Sequence, residues 1–437
     1  MKMIYSRELK KYNKNDLKSK LFLDDNTIQE LLDKRILTNS KENLYSFEFV
    51  GIVIIKDRVI FSLPKYAKND DKKIITKQLL ALFREYSKRE KLNEDELESI
   101  GSIDSKNIYN MLSVIIFLIN DYFENGLYSN EKNFSIINGE NEINWLKTID
   151  EIQPLISEGE PIYLEYYTNT SEDDEKDYFR QLHRYILNEC TKKLNNLGLT
   201  DFLGLEPIIF EVDEDSLGTP QSIISRINNE LNVQFINRKQ LLLKAMSSFI
   251  SNEKMETNNF TISFYGTRSF HVVWEKICGY VLNNKYENVK KLIAPPKWTT
   301  LSGKEHKAAP LIPDIISITK DFFIISDAKY YSIELNEDIL SGNPGVEDVT
   351  KQYLYQLAFN EYIRIKEVTS VKNMLLFPSE DKEIKQLGKV TIKFLQDLNL
   401  EDITLFSLPA HRIFDLYTNN KKLNIEKFLK LEIESEK

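Results

Sequence analysis

The stretch PDIISITKDFFIISDAKYY, residues 313–331, decides how the C-terminal part of the chain is read. Two apolar, β-rich runs sit back to back with only Thr319-Lys320-Asp321 between them, the pattern of a hairpin. Pro313 has no N–H to give to a ladder and belongs at a strand start, so Asp314 stands at the mouth of the first strand. FFIIS reads as a strand covered on both faces. Side chains alternate along a strand, which puts Asp327 and Lys329 on one face and Ala328 on the other. The open end of the hairpin then gathers Asp314, Asp327 and Lys329. Burying charge is costly unless it is paired or holds a metal, so acids and a lysine at the ends of strands this apolar imply a shared task.

The chemistry that needs this set is metal-assisted phosphodiester hydrolysis. Mg²⁺ takes hard oxygen ligands, commonly one or two protein carboxylates plus waters. The bound ion acidifies a water and neutralises charge on the phosphate, and a lysine orients that water or stabilises the growing negative charge. Mg²⁺ is therefore the expected cofactor, with Mn²⁺ as a substitute. Upstream, RSFHVVWEKICGYVL (268–282) reads as a helix with Phe270, Val273, Trp274, Ile277 and Val281 on its buried side and Glu275 bordering it. Glu275 is a third candidate metal ligand. Downstream, QYLYQLAFNEY (352–362) is a helix with Gln352 and Gln356 one turn apart; Gln356 is placed to fix a water or a phosphate oxygen. Between the first helix and Asp314, six lysines face two glutamates. That local basic excess is where a DNA backbone can lie, with Lys297, Lys304 and Lys307 as candidate contacts.

Working outward, strands expected near 371–377, 389–394 and 402–407 complete a mixed sheet flanked by helices, an α/β domain over 259–437. The polar stretch SNEKMETNN (251–259) reads as a linker. Residues 151–258 form a mostly helical connector, in which the acidic run SEDDEKD (171–177) is expected to open a helix. In the region 1–150, LYSFEFVGIVIIKDRVIFSLPKY (44–66) reads as a hairpin turning at Lys56-Asp57-Arg58, followed by helices at 72–90 and 107–128. The fold class is α+β and multidomain.

The 437 residues carry a net charge of −9. An acidic chain binds nucleic acid poorly by itself, because phosphate contacts dominate that affinity. Cys190 and Cys278 stand in unrelated contexts, which excludes a zinc ribbon and a disulfide framework and suits a reducing cytoplasm. Cys278 reads as core packing, and His183 and His411 as structural. The N-terminus lacks the apolar core of a signal peptide, and MLSVIIFLI (111–119) is too short to cross a bilayer, so no membrane partner is expected. There is no GxxxxGK[ST] loop, so the chain is not itself a nucleotide-driven motor.

Pro313-Asp314 followed by Asp327-Ala328-Lys329 resembles the PD-(D/E)xK nuclease signature. DAKYY in this setting resembles the McrC nuclease subunits of McrBC systems. FYGTRSFHVVWEKICGYVL, NEINWLKTI and PIYLEYY together resemble the LlaJI-type restriction endonuclease family, and the likeness runs from about residue 142 to 362. The hairpin ending in Pro64-Lys65 is similar to the N-terminal regions of McrC-like proteins. The resemblance implies a C-terminal PD-(D/E)xK nuclease domain with Asp314 and Asp327 as metal ligands and Lys329 as the catalytic lysine, supported by Glu275 and Gln356. It implies double-stranded DNA as substrate, with pairing of nuclease domains as a further arrangement. It also implies an N-terminal domain that docks on a separate AAA+ GTPase or ATPase motor, a McrB-like hexamer, through a tip at Lys56, Asp57 and Arg58. The chain would then be the DNA-cleaving subunit of a bacterial restriction system. The alternatives are a self-sufficient type II restriction endonuclease and a non-catalytic activator of the motor.

Overall fold

The computed structural model describes residues 2–40, 43–55, 58–68, 71–89, 103–104, 108–109, 111–256, 262–366, 370–398, 400–426 and 428–429. The chain packs as two compact units. One joins Met1–Asp104, Leu197–Leu205 and Thr261–Lys437; the other joins Ser105–Asn196 and Glu206–Phe260.

The first unit holds two principal sheets. The expected N-terminal hairpin is present as β2 (Val50–Ile55) and β3 (Arg58–Leu63), paired antiparallel from Gly51↔Ser62 to Ile55↔Arg58. Lys56 and Asp57, at its turn, lie outside the described residues. β1 (Lys2–Arg7) runs parallel to β3, and β4 (Ser263–Thr267) runs antiparallel to β2, giving the order β1-β3-β2-β4. β2 is buried at every position, as a strand covered on both faces must be. Phe47, Phe49, Val53, Ile55 and Ile60 share one apolar cluster with Leu17, Ile28 and Leu31 of two short helices, Lys14–Lys20 and Asp25–Asp33. Helix α1 (Lys72–Arg89) packs against β2 and β3.

The sequence reading divides the chain at 150 and 258; the units divide it elsewhere. The edge of β2 has backbone groups that need partners, and they find them in β4, some two hundred residues later. Gly51 and Gly266 face each other across this pairing with φ of 145° and 154°, and a Cβ on either would meet the opposite backbone at 2.3 or 2.1 Å. Only glycine permits that approach.

The second sheet is the one the 313–331 stretch announces. β5 (Ile315–Ile318) and β6 (Phe322–Ala328) form the hairpin, Ile315↔Ser326 to Ile318↔Phe323. β7 (Ser370–Ser379) and β9 (Ile403–Pro409) continue it in parallel, and β8 (Lys385–Val390) closes it antiparallel, in the order β5-β6-β7-β9-β8. Three helices accompany this mixed sheet: α2 (Phe270–Val281), α3 (Val346–Ile365) and α4 (Ala410–Thr418). Phe323 and Ile325 of β6 pack with Tyr355 and Phe359 of α3, while Ile324 and Ala328, on the other face, are buried too. α2 touches β6 and α4 touches β9. Phe270 of α2 meets Phe83 of α1, Tyr330 and Phe414 of α4, so one aromatic cluster ties the surroundings of the two sheets together.

The second unit is mainly helical, with helices Met111–Asn125, Tyr178–Asn196, Pro220–Val233 and Asn237–Glu256. Its buried Asp121 is paired with Arg238 at 2.7 Å. His183 is buried and structural: its Nδ1 accepts the Tyr128 N–H at 3.0 Å, and burial pushes its pKa down to about 4. The acidic run 171–177 does not open a helix. Tyr167–Asp173 is a strand paired antiparallel with Glu131–Ile137, and the helix begins at Tyr178, where Asp177 accepts the Arg180 N–H. Among the described residues, no helix is long and apolar enough to cross a membrane.

Candidate active site

The hairpin brings Asp314, Asp327 and Lys329 together. Asp314 lies just before β5, where Asn284 holds it from behind by donating to its backbone carbonyl at 2.7 Å; Asn284 Oδ1 also accepts the Ile316 N–H. The Asp314 carboxylate accepts the Ala328 N–H at 3.1 Å across the hairpin. That bond draws Asp314 to the far end of β6, beside Asp327, whose carboxyl is close enough to raise its pKa. Asp327 is 5% exposed. Lys329 falls one residue beyond the end of β6, yet its N–H still donates to Leu376 of β7 at 2.9 Å. Its Nζ sits 2.8 Å from Asp327 Oδ2 and 3.0 Å from Asp348 Oδ1.

The electrostatics follow from crowding acids in a half-buried place. Burial, then the hydrogen bond and charge of Asp327, then the charge of Glu275, push the Asp314 carboxyl up to about 9. Glu275 is pushed up by burial and by Asp327, with Lys329 pulling it back. Burial by itself would lower Lys329, but the charge and hydrogen bond of Asp327, followed by those of Asp348, outweigh it and raise it. Two acids that cannot both ionise cheaply at one spot are a common mark of a functional site.

The other expected residues fall into place unevenly. Glu275 borders the buried side of α2 as expected and reaches the acids through its charge. Among the described residues, no group of three His, Cys, Asp or Glu is close enough to cage a metal. Gln356 is buried, and its Oε1 accepts from Asn373 of β7 at 3.4 Å, at the level of Ile325 rather than of Asp327. One turn nearer, Gln352 donates to the backbone carbonyls of Ile325 and Met374 and so clamps β6 to β7 beneath the acids. Lys297 and Lys307 pair across a small exposed ribbon, Lys297–Thr299 with Glu305–Lys307, in which Lys297 is 3.3 Å from Glu305; Lys304 lies in its turn. Arg58 is turned inward, donating to the Phe22 carbonyl and stacking on the Phe22 ring, so it is not a free hairpin tip. Cys278 is buried in the core.

Sequence reasoning missed Asp348, Tyr355 and Asn284. Asp348 stands one turn before Gln352 on α3, so extending the Gln352/Gln356 face backwards by four residues finds it. Tyr355 donates to the Ile312 carbonyl at 3.0 Å, and burial with the charges of Asp327 and Asp314 pushes its hydroxyl up to about 12. Asn284 accepts the Tyr286 N–H locally, but its bonds to Asp314 and Ile316 reach across some thirty residues and leave no local mark.

A five-stranded mixed sheet with flanking helices, presenting two touching carboxyls and a lysine at the open end of one hairpin, makes this an α/β protein with an acid–lysine site. The chain belongs to the LlaJI restriction endonuclease family, which it matches over residues 49–411. It is 33% identical, over 97% of its length and 91% of the relative's, to the type II restriction enzyme BsuMI component YdjA of Bacillus subtilis (strain 168). Among solved structures, it aligns with a chain of the Thermococcus gammatolerans assembly of McrB AAA+ hexamers with bound McrC. That alignment has 14% identity and a TM-score of 0.39, covering 96% of this chain and 100% of the other. A second alignment, with the McrBC complex of the same organism, has 12% identity and a TM-score of 0.25, covering 63% and 85%.

Proposed function

We propose that this chain is the DNA-cleaving subunit of a bacterial restriction system, hydrolysing phosphodiesters of double-stranded DNA with Mg²⁺ and working with a separate AAA+ motor. The observation that carries the reading is the meeting of Asp314, Asp327 and Lys329 at the open end of one hairpin. Membership of a restriction endonuclease family supports DNA as substrate. The curated relative is described as one component of a restriction enzyme, which supports division of labour with other chains. The motor partner rests on the likeness to McrC-like subunits in the hairpin and DAKYY segments, and on a sequence that lacks a phosphate-binding loop of its own.

The residues fit a hard divalent ion. Burial and the neighbouring charge of Asp327 raise the Asp314 carboxyl, so a cation placed between the two would relieve the crowding. Mg²⁺ needs only one or two protein carboxylates, the rest of its shell being water and substrate oxygen. Asp314 and Asp327 would hold the ion, with the charge of Glu275 nearby. When bound, the ion supplies charge neutralisation at the phosphate and a more acidic water. Lys329, fixed between Asp327 and Asp348, directs its ammonium N–H groups at the attacking water and at charge growing on the phosphate oxygens. Glu275, whose pKa is raised, accepts the proton that the water loses. Water oxygen bonds to phosphorus, the P–O bond to the sugar breaks, and the departing alkoxide takes a proton from solvent. Gln352 holds β6 and β7 in register beneath these groups.

The test is plasmid cleavage by the purified chain in Mg²⁺, with and without a candidate motor protein and nucleotide. Asp327→Ala is expected to lower cleavage at least about a thousandfold, roughly 4 kcal/mol of barrier, while stimulation of nucleotide hydrolysis persists. A variant that still cuts at the original rate removes the site assignment. Cutting by the chain without any partner replaces the motor reading with a self-sufficient enzyme.

A further inference from the structure

A cleft of about 470 Å³ opens beside the acids, with Glu275 and Asp314 among its lining and Lys276, Tyr280 and Lys422 also lining it. Its size is that of a small-molecule site, roughly 300–1,000 Å³, and it admits one nucleotide. Lys422 lies over the Tyr280 ring and donates to the Tyr280 carbonyl at 2.5 Å. The Arg89 guanidinium lies 4.9 Å from the centre of the same ring and 4.4 Å from that of Tyr417. Burial, then the charges of Arg89 and Lys285, push Lys422 below the ordinary lysine range. Arg89 is itself paired with Glu85 at 2.8 Å and stands behind the ring, so of these two cations it is Lys422 that lines the cleft, within a chain of net charge −9. Like charges held together are stabilised by a bound anion. The Asp314 carboxyl, which lines the same cleft, is one of those that would hold the divalent ion.

We infer that this cleft is a second phosphate subsite, in which Lys422 grips the DNA backbone phosphate next to the one cleaved, over the face of Tyr280. The inference rests on the nuclease reading above and adds to it the part of the chain that sets where the strand lies. The acids would take the scissile phosphate when the ion is bound, and Lys422 takes its neighbour. Anchoring two successive phosphates fixes the direction of the strand across the acids, as a single contact does not. The lysines of the 297–307 ribbon are separate from this grip.

The probe is thymidine 3′,5′-bisphosphate, titrated calorimetrically into the full chain with Ca²⁺ in place of Mg²⁺, beside thymidine and inorganic phosphate. The bisphosphate is expected to bind, with thymidine and inorganic phosphate each at least tenfold weaker. Lys422→Gln is expected to weaken the bisphosphate at least tenfold, Lys422→Arg to retain most of the binding, and the neighbouring exposed Lys421→Gln to leave it unchanged. Melting temperatures check that each variant is folded. Equal binding by Lys422→Gln and the parent chain overturns the subsite, as does equal weakening by Lys421→Gln, which would mark a diffuse charge effect, or no binding by the parent chain. Cleavage is followed in parallel. Lys422-dependent binding in a chain whose Asp327→Ala variant still cuts DNA overturns the catalytic assignment and leaves the subsite standing. Loss of cutting in Asp327→Ala with Lys422-independent binding does the reverse.

Discussion

Asp314 is the residue on which the site's energetics turn. Its carboxyl is pushed up to about 9 by burial first and then by Asp327 and Glu275. An acid whose folded pKa lies above its unfolded value keeps its proton in the native state while the unfolded chain releases it. Raising the pH from about 4 to about 9 therefore favours unfolding, and lowering it through that window restores stability. Asp314→Asn mimics the protonated acid. Without divalent ions at pH 8 it is expected to melt a few degrees above the parent chain, a gain of roughly 1–2 kcal/mol. Its melting temperature should also lack the parent's fall between pH 5 and 9. Because a ligating carboxylate must lose its proton, Mg²⁺ stabilisation of the parent should grow with pH, up to about tenfold in affinity per unit, and vanish in the variant. Scanning calorimetry across pH, with and without Mg²⁺, checks this; parallel profiles for the two chains would refute the coupling. At this scale, Asp314, Asp327 and Lys329 were legible because proline and the two-residue strand period are local rules. Asp348 and Asn284 were not, since only the packing of helix and loop onto the hairpin brings them there.

Among elements, the informative join is the one between the N-terminal hairpin and the strand that carries the site. Tyr330, next to Lys329, is buried. Its hydroxyl donates to Glu8 Oε2 at 2.5 Å and accepts the Lys65 N–H at 3.1 Å, and the Lys65 ammonium lies 4.3 Å from its ring centre. Lys65 lies two residues past the end of β3, and Glu8 directly follows the end of β1. One phenol thus ties both strand ends to the chain leaving β6. Tyr330→Phe leaves the Glu8 carboxylate and the Lys65 N–H without this partner, and is expected to cost about 1–3 kcal/mol. Glu8→Gln keeps an acceptor and should cost less. If the tie also positions Lys329, Tyr330→Phe will lower the single-turnover cleavage rate at temperatures well below its melting point, with DNA affinity unchanged. Unfolding in urea alongside single-turnover rates checks both; a variant as stable as the parent would show the bonds to be incidental. The hairpin was legible from its two apolar runs about a charged turn. The partners of its edges were not, because strand pairing at long range leaves no mark in a local pattern.

For the whole molecule, the consequence is that the five-stranded sheet shares one compact unit with the N-terminal strands. The sequence offers a polar linker at 251–259 and then a run of elements that look self-sufficient. Yet that stretch is helical as far as Glu256, β4 beyond it pairs with β2, Phe270 packs on Phe83 of α1, and Tyr330 is sealed by Glu8 and Lys65. A fragment covering 259–437 would bare the edge of β4, the aromatic face of α2 and the Tyr330 ring at once. Exposed strand edges and large apolar patches drive aggregation. That fragment is therefore expected to be insoluble or to melt without a cooperative transition. Co-expression with residues 1–104 should recover soluble, co-purifying material, since the partners of β4, Phe270 and Tyr330 lie there. The measurement is the soluble yield and heat-capacity trace of the fragment, alone and with its N-terminal complement. A soluble fragment with a sharp transition of its own would show that the N-terminal sheet only leans on the catalytic one, and the division read at residue 258 would then stand.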